Sequence, residues 1–325
     1  MRLYPVSVLL PGGVVSLDAR LDAGPSGGSE SLWLDARAVV ESTTGASAGP
    51  PAVTRARVLG RMDAAGAKGN LLLQSPDPAA AAKVLEQRVD LPAGPLEAKA
   101  RFTLTPGVNK LVAKAGLTDF EGKFAATTLR GQIAYGATNP DQLTFDLTAD
   151  TLDLDRLGAV GAAGAGSMAV TPAALRAQGK LRLDHIAVRG VEAKNIALEL
   201  AGGDGRLEGV LDGAELFGGK LAGKIDRDAA GHLTAALQLT GAEASRLAPK
   251  TGPLAGLSGP LAAKANLELA TNAKGHLGNS TATIEVESPQ LALGRGGDRQ
   301  MLGASKILLS LKGHEASSRY PRRPV

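Results

Sequence analysis

Four groups of residues in the 325-residue chain have types and spacings that suggest chemistry. Two stretches, Gly24-Pro25-Ser26-Gly27-Gly28 and Gly45-Ala46-Ser47-Ala48-Gly49, match the G-x-S-x-G pattern of a hydrolase nucleophile elbow. An elbow needs a strand before the serine and a helix after it, so that the hydroxyl sits on a strained turn. Both matches lie in Gly/Ser/Pro-rich loops, and 42 glycines produce such matches by chance. Phe217-Gly218-Gly219-Lys220 has the end of a phosphate loop, but Ala214 stands where its first glycine belongs and Leu221 where it needs Ser or Thr. A tight turn between strands accounts for it. Asp150, Asp153 and Asp155 invite calcium, yet the sixth and twelfth positions from Asp150 are Asp155 and Gly161, not the Gly and Glu of an EF-hand loop. They read as a solvated strand end. His185 and His232 each sit in a strand beside a charged or turn residue, with no ligand set around them.

Composition points the same way. There is no Cys and only four His, which removes thiol nucleophiles, disulfide scaffolds and Cys-based metal sites. The net charge of +4 comes from 36 basic and 32 acidic residues with no basic run and nine aromatics, so nucleic acid is not an expected partner. At 44% hydrophobic and 21% charged, the chain is too apolar to be disordered. No enzyme activity and no cofactor are expected. Leu3 to Leu17 is uncharged but broken by Pro5, Pro11, Gly12 and Gly13, which suits neither a signal peptide nor a spanning helix. Both ends read as cuts through a longer protein.

The elements that dominate are alternating strands. In 96–105, Leu96, Ala98, Ala100, Phe102 and Leu104 interleave with Glu97, Lys99, Arg101, Thr103 and Thr105, which places every second side chain on one sheet face. The pattern returns through Leu129, Ile133, Phe145, Leu147, Leu183, Leu198, Leu200, Leu237, Leu239, Leu267 and Leu269. Turn signals separate the runs at Pro106-Gly107, Asp204-Gly205, Asp212-Gly213 and Asp228 to Gly231. About ten to fourteen short strands are expected, antiparallel, with one dry face. One convincing helix follows the capping Asp77, over 79–89. Shorter helical turns are expected at 155–157 and 243–247.

The chain also repeats itself. Gly94-Pro95-Leu96 and the strand after it match Gly259-Pro260-Leu261 and its strand. Phe120 to Ala125 matches Phe217 to Ala222, and Leu143 to Leu157 matches Leu233 to Leu247. The organisation expected is N-terminal strands with a flexible loop (1–59), a first β unit (60–157), a Gly/Ala-rich linker (158–178), a second β unit (179–312) and an irregular tail (313–325).

A sheet with an apolar face must bury it against something. Two halves could close on each other as a sandwich or barrel. A long curved sheet would instead leave a trough, and small Ala and Gly on the inner face lean that way.

The order of elements over 180–200, Asp204-Gly205-Arg206-Leu207, Leu216 to Gly223 and Leu237 to Leu247 resembles the C-terminal region of the AsmA family, and 71–157 resembles its preceding unit. The resemblance implies an elongated, curved antiparallel β-groove of repeated units with few short helices. It implies a Gram-negative envelope protein, periplasmic and held at the inner membrane through an N-terminal anchor that this sequence lacks. Its role would be non-enzymatic: outer-membrane assembly or phospholipid transport between the two membranes, with envelope proteins as possible partners. The residues expected to touch phospholipid or another acyl-chain lipid are Leu96, Phe102, Leu104, Leu129, Ile133, Phe145, Leu147, Leu183, Leu198, Leu200, Leu237, Leu239, Leu267 and Leu269. The competing expectation is a structural or adhesive secreted β-protein without lipid cargo; its irregular repeat spacing argues against a uniform solenoid.

Overall fold

Alternation sustained over ten or more positions commits a chain to strands, because only a period of two sorts such side chains onto separate faces. A computed structural model describes residues 2–10, 13–23, 32–42, 52–85, 94–107, 112–124, 127–137, 141–153, 175–188, 191–247, 256–269, 280–294 and 300–313. Strand takes up 84% of them. The protein is mainly β and mostly antiparallel, with two short helices among the described residues, and its sheet is not closed.

Two compact units divide the chain, Met1–Val191 and Glu192–Val325. The first holds β1 (Arg2–Leu10), β2 (Gly13–Ala23), β3 (Leu32–Ser42), β4 (Ala52–Asp63), β5 (Gly66–Ser75), α1 (Pro78–Val84), β6 (Leu96–Thr105), β7 (Lys114–Phe124), β8 (Thr127–Gly136), β9 (Asp141–Asp153) and β10 (Leu175–Val188). Neighbours in sequence pair antiparallel from β1 through β9. The second unit holds β11 (Val191–Gly203), β12 (Arg206–Leu216), β13 (Gly219–Arg227), β14 (Leu233–Glu243), α2 (Ala244–Leu247), β15 (Pro260–Leu269), β16 (Ser280–Leu293) and β17 (Gln300–Gly313). Its strands pair antiparallel in the same nearest-neighbour order.

Three features differ from the sequence expectation. First, the described residues form seventeen strands of 9 to 14 residues, more and longer than expected. Five of them come from the first 75 residues, where steps such as Val39-Val40 and Leu71-Leu72-Leu73 blur the alternation. Second, β10 runs parallel to β9 over twelve paired residues, Leu175↔Asp141 to Ala187↔Asp153. A parallel pair needs a crossover of about a dozen residues or more, and 154–174 is long enough. The stretch read as linker thus ends inside β10, at 175–178. Third, Asp212-Gly213 is a bulge within β12, where the register with β13 shifts between Leu211 and Ala214. Leu211 and Ala214 are both buried. The bulge pushes both intervening residues outward and lets the apolar phase resume.

The same device recurs at Thr118-Asp119 in β7, where Asp119 has φ 49°, and at Thr240-Gly241 in β14, where Gly241 has φ 68°. Asp204-Gly205 and Phe217-Gly218 are hairpin turns with φ positive at both residues. For Phe217 that conformation costs roughly 1–2 kcal/mol, offset by its ring packing on the cluster around Leu239 and Leu261. Phe120 sits at a bulge and Phe217 in a turn, so that pair of matched segments is alike in sequence only.

The two Gly-Pro-Leu segments do occupy equivalent places. Each follows a short helix, each glycine has positive φ (135° at Gly94, 126° at Gly259), and each leucine enters a strand beside the one that led into the helix. α1 starts where expected, with Asp77 accepting a hydrogen bond from the Ala80 amide, and ends at Val84. The helical turn expected at 155–157 lies outside the described residues. The one expected at 243–247 is α2.

Gly131 tests the β8–β9 register directly. Its φ is +142°, and a Cβ there would lie 2.0 Å from the Asp146 carbonyl oxygen. Gly131→Ala should destabilise the protein by about 1–3 kcal/mol, read as a lower urea midpoint at unchanged slope. An unmoved midpoint would refute this pairing.

Candidate functional site

Residues paired across neighbouring strands share a face, so the ladders show which side chains meet. One row crosses all ten strands of the first unit: Val6, Leu17, Ala38, Ala56, Leu73, Ala98, Gly122, Leu129, Ala149, Leu183. Every member is apolar or glycine. Another runs Gly69, Phe102, Leu117, Ile133, Phe145, Gly179. Leu147 lies between Gly131 and Leu181, Leu96 between Ser75 and Phe124, and Leu104 between Ala67 and Ala115. The eight candidate residues of the first unit therefore stand on one face.

The second unit repeats this. Leu198, Leu211, Gly223, Leu237, Ala265, Ile284 and Leu309 form one row, and Leu200, Gly209, Ile225, Ala235, Leu267 and Ala282 another. Leu239 pairs with Ala263, and Leu269 with Leu233. The six candidates of this unit also share a face.

Sequence reading missed the contribution of β1 to β5. The signal was present in 32–40, where Leu32, Leu34, Ala36, Ala38 and Val40 alternate with Trp33, Asp35, Arg37 and Val39.

Glycine gives the apolar face its relief. A Cβ at Gly60 would come 3.1 Å from the Phe102 ring, one at Gly122 would come 2.9 Å from Phe120, and one at Gly179 would come 2.6 Å from Phe145. Gly60 pairs with Gly69, which pairs with Phe102, so that ring reaches across two strands of bare backbone. The aromatic rings lie down over glycines instead of standing up from the sheet.

Among the described residues, each helix covers the apolar face at one rim only. Val84 of α1 is fully buried on Val40, with Leu10 and Val15 beside it, and Gly13 lies directly beneath. In the second unit Ala242, Ala244, Leu239, Leu261 and Leu291 pack together, joined by Leu216, Leu221 and Val286. Away from these clusters the face of the first unit is open at β1 and β2, where Val6 and Leu17 are 59% and 51% exposed, while Phe102, Ala149 and Leu183 are buried. Toward the helix-free rim Leu32, Met62 and Leu104 are exposed as well.

The opposite face is laced with ion pairs, with Leu9, Trp33, Leu59 and Leu72 exposed among them. Arg57 and Arg37 both reach Asp35, Lys99 and Arg130 reach Glu121, Arg182 reaches Asp146, and Lys306 reaches Glu285 and Glu287. Two open depressions of about 580 and 600 Å³ lie here, the first bordered by Thr103, Lys114, Gln132 and Thr144, the second by Lys99, Arg130 and Arg182. In the second the cations are already matched to carboxylates, so it offers an anion little.

The residues first considered for chemistry are dispersed. Ser26, Ser47 and Asp155 lie outside the described residues. Asp150 accepts hydrogen bonds from the amides of Thr128 and Thr151. His232 pairs with Asp228 at 3.0 Å on the surface, and His185 is half-buried in β10. Among the described residues no three His, Asp or Glu side chains gather as a metal site, and no helix is long and apolar enough to cross a membrane.

Comparison with family models, curated proteins and solved structures returned no match. The site is therefore defined by its own geometry: in each unit, an apolar strip roofed at one rim and backed by an ion-paired face.

That backing sets a pH dependence. Hydrogen bonding from Arg57 holds the Asp35 carboxyl below its ordinary 3.8, against burial and with help from Arg37. Hydrogen bonds from Lys99 and Lys306 likewise lower Glu121 and Glu285 from 4.5. Groups lowered on folding contribute stability above their unfolded pKa and lose it as pH falls through the folded one. Stability should accordingly hold from pH 7 to 5 and decline below about pH 4.5, and Asp35→Asn with Glu121→Gln should flatten that decline. An identical acid slope in the double variant would show that these pairs do not carry it.

Proposed function

We propose that the chain is a non-enzymatic lipid carrier whose apolar strips hold the acyl chains of phospholipid, in the manner of the AsmA proteins its sequence resembles. The carrying observation is the ten-strand row from Val6 to Leu183, apolar throughout and, among the described residues, covered by a helix at one rim only. Ten strands about 4.8 Å apart and about ten residues long give that face a total area on the order of 1,000 Å², and Val6, Val8, Leu17, Leu32, Met62 and Leu104 on it are exposed. Soluble monomers rarely leave more than a few hundred Å² of contiguous apolar surface bare. A flexible apolar guest answers this need without a matching protein partner. Each CH₂ taken out of water gains about 0.8 kcal/mol, so a 16-carbon chain half covered gains about 6 kcal/mol.

The mechanism is passive. Acyl chains lie on leucine, alanine and bare glycine backbone, while headgroups stay in water past the strand ends. The flattened Phe102, Phe120 and Phe145 rings leave the strip smooth, so a chain can slide without lifting over standing side chains. The setting proposed with this reading is the periplasm of a Gram-negative cell, at the inner membrane, in outer-membrane assembly or phospholipid movement between the two membranes.

The test is lipid content. Purified in mild detergent from a Gram-negative periplasm, the chain should carry phospholipid detectable by native mass spectrometry. Leu147→Asp and Leu237→Asp put a carboxylate in each strip, and should lower the lipid carried about tenfold or more at unchanged circular dichroism. A folded wild-type chain free of lipid would sink the proposal and leave a structural or adhesive β-protein as the better reading.

A further inference from the structure

The helix-free rim carries cations that the rest of the structure does not use. Arg227 is the last residue of β13 and pairs across to Leu207 and Leu233, in phase with Leu221, Gly223 and Ile225. It therefore stands on the apolar side of the second unit, half-buried, at the strand end away from α2. No carboxylate among the described residues pairs with it. Its neighbour Asp226 belongs to the polar face, and Asp228 is engaged by the amide and ring of His232.

The first unit carries cations at the corresponding strand ends, but on its polar face, where Lys68 pairs across to Thr103, Lys114 to Thr105 and Arg176 to Gln142. Lys68, Lys114 and Arg176 lie within the first three residues of β5, β7 and β10 and have no ion pair among the described residues. The carboxylates there are occupied: Asp22 by Arg20, Asp63 by Arg61, and Asp141 by the Tyr135 hydroxyl.

An arginine in an apolar row is explained in part by its stem, which lies along leucine while the guanidinium reaches water. That accounts for its tolerance at this place. It does not account for the missing carboxylate, in a protein whose polar face pairs arginines so freely. A planar fork of donors beside an acyl-chain strip matches a phosphate ester on the end of that chain.

We infer that the guest is an anionic phospholipid, held with its phosphate at the helix-free rim, where Arg227 positions it in the second unit. The inference rests on the acyl-chain reading above and adds to it a headgroup charge, a rim and a residue. The rim beside α2 is then the blind side of the second unit's strip, and lipid enters and leaves past Arg227.

The experiment loads the full chain from mixed vesicles of phosphatidylglycerol and phosphatidylcholine with matched acyl chains and reads both lipids by native mass spectrometry. Wild type should favour phosphatidylglycerol by about two- to fivefold, the range of an exposed ion pair. The preference should shrink in high salt, as the screening length drops from about 10 Å at 0.1 M to about 3 Å at 1 M. Both lipids carry the phosphodiester and only the choline cation cancels its charge, so Arg227→Gln should lower phosphatidylglycerol loading more than phosphatidylcholine loading, and Arg227→Lys should keep most of the preference. Equal loading of both lipids by wild type, or an unchanged preference in Arg227→Gln, overturns the inference while the acyl-chain reading stands. No loading of either lipid overturns that reading and this inference with it.

Discussion

Strand register is the constraint on which everything else depends. Because side chains alternate with a period of two, a slip of one residue at any ladder would send a row of leucines to the ion-paired face and a row of arginines among the leucines. The row from Val6 to Leu183 exists because nine successive ladders agree in phase. Where the sequence places two outward residues in succession, at Thr118-Asp119, Asp212-Gly213 and Thr240-Gly241, a bulge absorbs the extra residue and restores the phase. Cross-strand pairs on the polar face, such as Arg57 with Asp35 and Lys306 with Glu285, fit only the register observed. Their exposed positions make each a small contributor to stability, so their larger effect is to disfavour alternatives.

Glycine and alanine do a second job in the strip. In a two-layer core they would leave voids, because interiors are packed as densely as organic crystals. On a face with no second protein layer they lower the surface, and the phenylalanines fold down onto them. Phe102 over Gly69 and Gly60 is the clearest instance. Gly60, Gly69, Gly122 and Gly179 and the Phe102, Phe120 and Phe145 rings therefore belong to one arrangement. The helices fit the same scheme. Each is short, each follows a strand end, and each seals one rim using small residues, with Gly13 giving Val84 its room and Ala244 of α2 packing with Ala242.

Much of this was legible in the sequence. Alternation as clean as 96–105 leaves no other secondary structure open, and residues of one phase within a strand must share a face. Those two rules sufficed to name the fourteen apolar residues and to place them together within each unit. The capping Asp77 and the repeated Gly-Pro-Leu entries could be read because they are local: one side chain meets one amide, and one glycine supplies one backbone conformation.

Non-local features escaped that reading. Asp212-Gly213 has the composition of a turn, and only the β12–β13 ladder makes it a bulge. The parallel pairing of β10 with β9 reverses the rule followed by every neighbouring strand, and no side chain in either strand announces it. Arg227 read as one charge among 36 basic residues until its ladder partners, Leu207 and Leu233, put it on the apolar side. The sequence by itself determined the strands, their two-sidedness and the class of surface they make, since a period of two is written in consecutive residues. Only the tertiary structure decided how those faces join, which rim is sealed and which is open, because pairing between strands is settled by residues far apart in the chain.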